Sequence, residues 1–323
     1  MIEQYSSVLA PCITSLISQK RINGFSYKAE ARMLEHFDAL CNQYDLHEVA
    51  LTKNLVDLWS EQNENENLNT RIGRISCLRQ LAKHMASQGY PVYFPKPIQS
   101  GEKSHPYVLN HEELVALFDV IDNQVPNYKH PRRFIEEEKI MFRLFYCCGL
   151  RRSEVTNLRK DKIHIESGII EILASKGDKD RNVFLPEDLQ QMCFLYRNYI
   201  DTECPASIWF FPGKDDSKTF ANSTLDVNFR RYWNKTPYAV EGGKRPTIHS
   251  LRHTFVVDKM NEWMEQGINL KTMLPYLSKY LGHSSINDTL YYYHLVDKAF
   301  VSMRKKDVGF ASLIPEVEEY EEY

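Results

Sequence analysis

Through roughly the first ninety positions, apolar residues such as Leu34, Phe37 and Leu40, then Leu55 and Leu58, recur at helical spacing, with polar turns between and no strand-like alternation. The pattern predicts a small helical bundle. Within it, Thr70 to Met85 places Arg71, Arg74, Arg79 and Lys83 near one side of a helix and Ile75, Leu78 and Leu81 on the other. That basic side reads either as a solvated face or as a surface turned to nucleic acid. Prolines and glycines crowd the stretch from Gly89 to Pro106, which breaks any helix and suits an exposed, fairly stiff connector. Beyond it, Asn110 followed by HEELVALFDVI predicts a capped helix with acids in its first turn. Further helices are predicted from Glu136 to Cys148, stopped by Gly149, and from about Ser153. The pattern then changes. Gly168 to Ala174 and Arg181 to Leu185 are rich in β-branched and apolar residues and flank a polar tip, the signature of a β-hairpin. Helices return from about His249 to Glu265, then up to Leu281 before Gly282, then from Ile286 to Val296, where Ser285 and Asp288 have the spacing of a capping box.

A chain of 323 residues suits two domains, each able to bury its own core. With 43% hydrophobic and 26% charged residues it falls outside the disordered and membrane classes. Neither a bilayer-length apolar run nor a secretory leader is present, so the expected location is the cytoplasm, in a bacterial cell and on the nucleoid when bound to DNA. The 7 cysteines lack disulfide-scaffold density and metal spacing, and read as reduced core thiols. A net charge of −3 argues weakly against a nucleic-acid partner. Its distribution argues otherwise: Glu316, Glu318, Glu319, Glu321 and Glu322 lie in the tail and Glu61, Glu64 and Glu66 in one run, leaving the rest net basic.

Four separated segments concentrate Arg, Lys, His and Tyr beyond what core packing needs: Gly149-Leu150-Arg151-Arg152-Ser153-Glu154, Lys176 to Arg181, His249-Ser250-Leu251-Arg252-His253, and Leu281-Gly282-His283 leading to Tyr291-Tyr292-Tyr293-His294. Singly, each has a bland explanation. An Arg after a helix-ending Gly is commonly a dipole partner, a Lys-rich hairpin tip is ordinary, and three tyrosines in a row commonly pack. His249 and His253 are four apart, but no Glu follows the first and no Cys cluster supplies further ligands, so no metal site is expected.

Together and in this order, the segments resemble the tyrosine recombinase, or phage integrase, family. That family's second domain carries G-L-R-x-S-E, a hairpin Lys followed by K-x-R, H-x-x-R-H, L-G-H, and a Tyr nine residues after that His, here Tyr292. The resemblance spans Gly149 to His294. It implies a mainly α fold with a small antiparallel β-sheet, in two domains that clamp double-stranded DNA: a helical, SAM-like core-binding domain over residues 1–100 and a catalytic domain with a C-terminal tail over 107–323. It implies Tyr292 as the nucleophile that forms a 3′-phosphotyrosine bond, Arg151 and Arg252 as forks on the phosphate, His249 and His283 as further donors, and Lys176 as the acid for the leaving 5′ oxygen. Glu154 and His253 would support them, and Arg71, Arg74, Arg79, Lys83, Lys179 and Arg181 are candidate DNA contacts. Attack on a phosphodiester builds negative charge on nonbridging oxygens, which planar, permanently charged guanidinium groups suit well. No cofactor or metal is implied, since the bond energy is retained in the enzyme linkage. Expected partners are a homotetramer on two synapsed sites and accessory DNA-bending or partner recombinase proteins, with no membrane. Phe310 to Ile314 is either a segment that docks on a neighbouring protomer or part of a solubilising tail. Ser175 and Val256 depart from the family's usual Gly and Ala, and the wording Leu274-Pro275-Tyr276-Leu277-Ser278-Lys279-Tyr280-Leu281-Gly282-His283 resembles that of integrases carried by transposons. A type IB topoisomerase-like enzyme and a non-catalytic DNA-binding accessory protein are the alternatives.

Overall fold

The computed structural model describes residues 5–44, 46–99, 101, 106–128, 130–173 and 180–295, the side chain of His294 excepted. The chain divides into two compact units, Met1–His105 and Pro106–Tyr323. In the first, helices α1 (Ala10–Ile22), α2 (Lys28–Gln43), α3 (Lys53–Ser60) and α4 (Leu68–Ser87) bury a core that includes Leu16, Leu34, Phe37, Leu55, Leu78 and Leu81. Of the apolar positions read from the sequence there, Leu58 is the exception, 42% exposed. Asp38 reaches across from α2 to accept the backbone N–H groups of Ser6 and Ser7 at 2.8 and 3.1 Å, fixing the chain as it enters α1.

The second unit begins with α5 (His111–Asp122), where Asn110 accepts Glu113 N–H at 2.8 Å and Glu113 returns the bond to Asn110 N–H at 2.9 Å, a capping box. Next comes α6 (Arg132–Cys147), which starts just after Pro131, earlier than the charged run Glu136-Glu137-Glu138 suggested. Glu137 and Glu138 are fully buried because side chains from later in the chain meet them: Tyr196 donates to Glu137 at 3.1 Å, and Tyr232 and Asn228 donate to Glu138. The short helix α7 (Arg152–Thr156) follows.

Among the described residues the sheet has three antiparallel strands in the order β1 (Ile163–His164), β2 (Ile169–Ile172) and β3 (Arg181–Phe184). The predicted hairpin pairs Ile170 with Val183 and Ile172 with Arg181. The pair β1, too short to show alternation, adds to its far edge through Ile163 and Ile170. Helices α8 (Glu187–Glu203), α9 (Asn222–Trp233), α10 (Ile248–Glu265) and α11 (Leu270–Leu281) complete the unit around an aromatic centre that includes Phe142, Phe145, Phe210, Phe229 and Trp233. Each such ring contributes about 1.5–3 kcal/mol by leaving water.

The predicted helix from Ile286 to Val296 is not continuous. It is α12 (Asn287–Leu290), a turn, and a 3₁₀ turn over Tyr293–Leu295, with Val296 outside the described residues. Ser285 Oγ accepts Asn287 N–H at 3.2 Å, so the expected capping box with Asp288 does not form. No helix of the described residues is long and apolar enough to cross a membrane.

Candidate active site

Helix ends build this site. α6 stops at Gly149 (φ +60°) and α11 at Gly282 (φ +64°), both in the left-handed region that glycine adopts without cost. The last carbonyls of a helix have no partner within it and carry the negative end of its dipole. Here arginines answer them. Arg252, on α10 and 2% exposed, donates through Nη1 to the Gly149 carbonyl and through Nη2 to that of Leu281 at 2.9 Å, tying the ends of two helices together. Arg151 Nη2 reaches the Gly282 carbonyl at 2.5 Å, and Arg181 Nε reaches that of Tyr280 at 2.6 Å. A Cβ on Gly282 would lie 2.9 Å from Arg181 Nη1 and 3.2 Å from Arg151 Nη1, so the close approach also requires glycine.

Glu154 holds two of these arginines. Its carboxylate accepts the Arg151 backbone N–H at 2.8 Å and Arg151 Nη1 at 2.9 Å, and it pairs bidentately with Arg181 at 2.9 and 2.8 Å. Burial alone would raise its pKa, but the contacts from Arg181 and Arg151 outweigh that and hold it below the usual carboxylate range.

His283 Nε2 lies 3.1 Å from Arg252 Nη2 and its Nδ1 lies 2.7 Å from Thr289 Oγ1. A guanidinium can only donate, so Nε2 is the acceptor and the ring carries its proton on Nδ1, directed at Thr289. The hydroxyl of Tyr292, 4% exposed, lies 2.6 Å from His253 Nδ1, and the His253 ring meets that of His249 edge to face with centroids 4.5 Å apart. Desolvation, then neighbouring positive charge from Arg252 and other groups, lowers all three imidazoles: His249 and His283 to about 4, His253 to about 3. Burial, against the pull of Arg252, pushes the Tyr292 phenol up to about 12. Arg252 is lowered to about 10 by burial and by Arg151, and stays charged at neutral pH.

A basic, anion-shaped cluster beside a buried tyrosine, on a mainly helical unit with a small sheet, is now joined by sequence similarity. The model of the Phage integrase family matches residues 107–299. This chain belongs to that family. An integrase/recombinase designated putative, y4rE of Sinorhizobium fredii, is 28% identical over 195 residues, 58% of this chain and 59% of that protein. Tyrosine recombinase XerC of Chlamydia muridarum is 27% identical over 229 residues, 69% of this chain and 65% of that protein. The chain thus spans less than two thirds of the length of either relative. The crystal structure of a XerH site-specific recombinase with palindromic difH substrate in a post-cleavage complex superposes with a TM-score of 0.62 at 18% identity, covering 85% of this chain and 79% of that one. At that identity the likeness shows the integrase fold.

The integrase cluster gathers Arg151, Glu154, Arg181, His249, Arg252, His253, His283 and Tyr292. Lys176 and Lys179 lie outside the described residues. Arg181 is not the outward DNA contact the hairpin suggested. Its side chain is 5% exposed, turned inward by the Glu154 carboxylate and the Tyr280 carbonyl. The basic side of α4 is corrected as well. Arg74 is buried on Glu66, at 2.9 and 2.8 Å, and on the Trp59 and Glu61 carbonyls. Arg71 donates to the Ser60 carbonyl and Arg79 to that of Pro95, which leaves Lys83 as the exposed member. The carbonyls at the end of α3 and just after it, Trp59, Ser60 and Glu61, are capped by Arg71 and Arg74, and that of Pro95, after α4, by Arg79. Sequence reading missed Thr289, fully buried and bonded to His283, because nothing distinguishes it from other threonines. The carbonyls of Tyr280 to Gly282 had a usable signal in the helix-ending glycine beside a histidine. Among the described residues no three His, Cys, Asp or Glu side chains converge as a metal site.

Proposed function

We propose that this chain is a site-specific DNA recombinase that cleaves and rejoins double-stranded DNA through a 3′-phosphotyrosine intermediate at Tyr292. One observation carries the reading. The buried Arg252 guanidinium sits against His283 and interacts electrostatically with Tyr292, whose hydroxyl is bonded to the residue next to that Arg.

A phosphodiester under attack gains charge on its nonbridging oxygens, and guanidinium groups fixed by helix-end carbonyls meet that charge without reorganising. Arg151 and Arg252 take this role. The bonds described use two of the five Arg151 N–H groups and three of those of Arg252, leaving donors for a phosphate. Glu154 and Arg181 hold Arg151 in register. His249 donates to the same phosphate, and His283 joins it once Nε2 is protonated. Lys176 supplies the proton to the departing 5′ oxygen. Retaining the bond energy in the tyrosyl linkage, the reaction takes no ATP, cofactor or metal. The unit over Met1–His105 serves as the core-binding half of a DNA clamp, and four protomers synapse two sites to integrate or excise a mobile element.

The test is covalent trapping without metal on nicked suicide duplexes drawn from DNA flanking its own coding sequence. Wild type is expected to form a denaturant-stable adduct that Tyr292→Phe loses completely. Persistence of the adduct in Tyr292→Phe would move the role to Tyr291 or Tyr293. No adduct on duplexes the protein demonstrably binds would make it an accessory DNA-binding protein.

A further inference from the structure

We propose that Nδ1 of His253 is the acceptor that takes the Tyr292 proton as the tyrosine attacks, the two being brought within one hydrogen bond by α10 and the turn after α12. This inference rests on the functional reading above and deepens it, since cations lower the cost of a phenolate but have no lone pair to receive its proton.

Among the described residues, one acceptor is hydrogen-bonded to the phenol. The Tyr292 hydroxyl lies 2.6 Å from His253 Nδ1 with ring centroids 5.4 Å apart. Arg151, Arg181 and Arg252 are donors only. His283 is engaged at both nitrogens, by Arg252 and by Thr289. His249 packs edge to face on the far partner, His253, with no bond to the phenol among the described residues. The groups that face His253 are His249 and Arg252 on its own helix, His283 after α11, and Tyr292 itself, while Asp288 and Tyr291 bear on the phenol. Burial, with His249 and Arg252, keeps the imidazole neutral, and in its Nε2–H tautomer the Nδ1 lone pair faces the phenolic proton.

A weak base suffices in a concerted step. As the tyrosyl oxygen bonds phosphorus its own affinity for the proton collapses, and the transfer runs downhill late in the reaction. The Tyr292 O–H bond breaks and the proton passes to His253, giving an imidazolium. The tyrosyl oxygen–phosphorus bond forms, the bond from phosphorus to the 5′ oxygen breaks, and that oxygen takes the Lys176 proton. Religation returns each proton along the same path.

Single-turnover adduct formation by the full chain, on the suicide duplexes above, compares His253→Phe, which keeps a ring without an acceptor, with His253→Asn, whose amide oxygen falls near Nδ1. Removing a positioned base is expected to slow cleavage by roughly 10²–10⁴-fold in His253→Phe, with partial recovery in His253→Asn. The defect should shrink as pH rises toward phenol ionisation, and it should persist on a 5′-bridging phosphorothiolate duplex whose sulfur leaves without a proton, where Lys176→Ala is relieved. A His253→Phe rate within threefold of wild type, a pH-independent defect, or relief on the sulfur substrate would overturn the assignment. Imidazole nitrogen NMR on the free protein separates this failure from failure of the functional reading. An Nε2–H tautomer of His253 that Tyr292→Phe perturbs supports the bond even if wild type forms no adduct, whereas a proton on Nδ1 overturns it.

Discussion

Replacing Glu154 by Gln keeps the side chain's shape while one carboxylate oxygen becomes an NH₂ group. Oε1 now accepts Arg151 Nη1 and Arg181 Nη1, and Oε2 accepts the Arg151 backbone N–H and Arg181 Nη2. Whichever oxygen is replaced, two donors face a donor and two guanidinium groups lose their counter-charge. The site is dry enough for this to matter, with Glu154 and Arg181 side chains 4% and 5% exposed. Breaking one partner of a buried ion pair costs about 3–5 kcal/mol, a large share of the roughly 5–15 kcal/mol that holds a typical domain folded. The acid limb gives a second, independent reading. Because the folded carboxyl lies below its ordinary value of 4.5, its stabilisation is complete above that value and is lost as pH falls toward the folded pKa. Urea unfolding of wild type and Glu154→Gln across pH 3–7 should therefore give curves that stand apart at neutral pH and converge in acid. A neutral-pH difference under about 1 kcal/mol, or a gap that widens on acidification, would refute the claim that this carboxylate holds the arginines as an anion.

Gly282→Ala should cost about 1–2 kcal/mol for its left-handed backbone and, in addition, displace Arg181 and Arg151. Gly267→Ala, at φ +73° with nothing within 4 Å, meets the backbone cost alone, so its thermal melt should fall less than that of Gly282→Ala, and adduct yield should fall only for Gly282→Ala. In the other unit, Arg74→Met should destabilise by about 1.5–3 kcal/mol by removing charge-assisted bonds to Glu66 and two carbonyls. Lys83→Ala should stay within about 0.5 kcal/mol, and equal losses from both in chemical denaturation would sink the distinction.

These two arginine sets explain what the sequence made legible and what it hid. The order of elements could be read because apolar spacing, the Asn110 cap and the glycines at 149 and 282 act locally, each within a turn or two of the residue that signals it. The family motifs could be read for a related reason: phosphate chemistry demands particular residue types, and five such demands in order leave little room for coincidence. What could not be read depended on partners distant in sequence. Arg74 and Arg181 look alike on paper, as cations on the polar side of an element. Both turn inward because a carboxylate and unpaired carbonyls, delivered by other segments, offer more than water does. Glu137 and Glu138 look like helix surface and are core for the same reason, with Tyr196 and Tyr232 arriving from α8 and α9.

The break in the final helix belongs to this argument too. A continuous helix from Ile286 would obey the apolar pattern, yet the chain tightens after Leu290, with Tyr292 N–H bonded to the Thr289 carbonyl at 3.1 Å. That bond spans three residues instead of four. In this arrangement Thr289 is buried against His283 and Tyr292 against His253. Two neighbouring histidine contacts, made by residues three apart in the chain, outweigh one more turn of α-helix. A Thr289→Val substitution keeps the volume and removes the hydroxyl, leaving the His283 Nδ1 proton unpartnered. Its expected effect is a shift of His283 toward the Nε2–H tautomer at the expense of the Arg252 contact, read by imidazole nitrogen NMR, and an unchanged tautomer would mean that Arg252 alone sets the orientation of that ring.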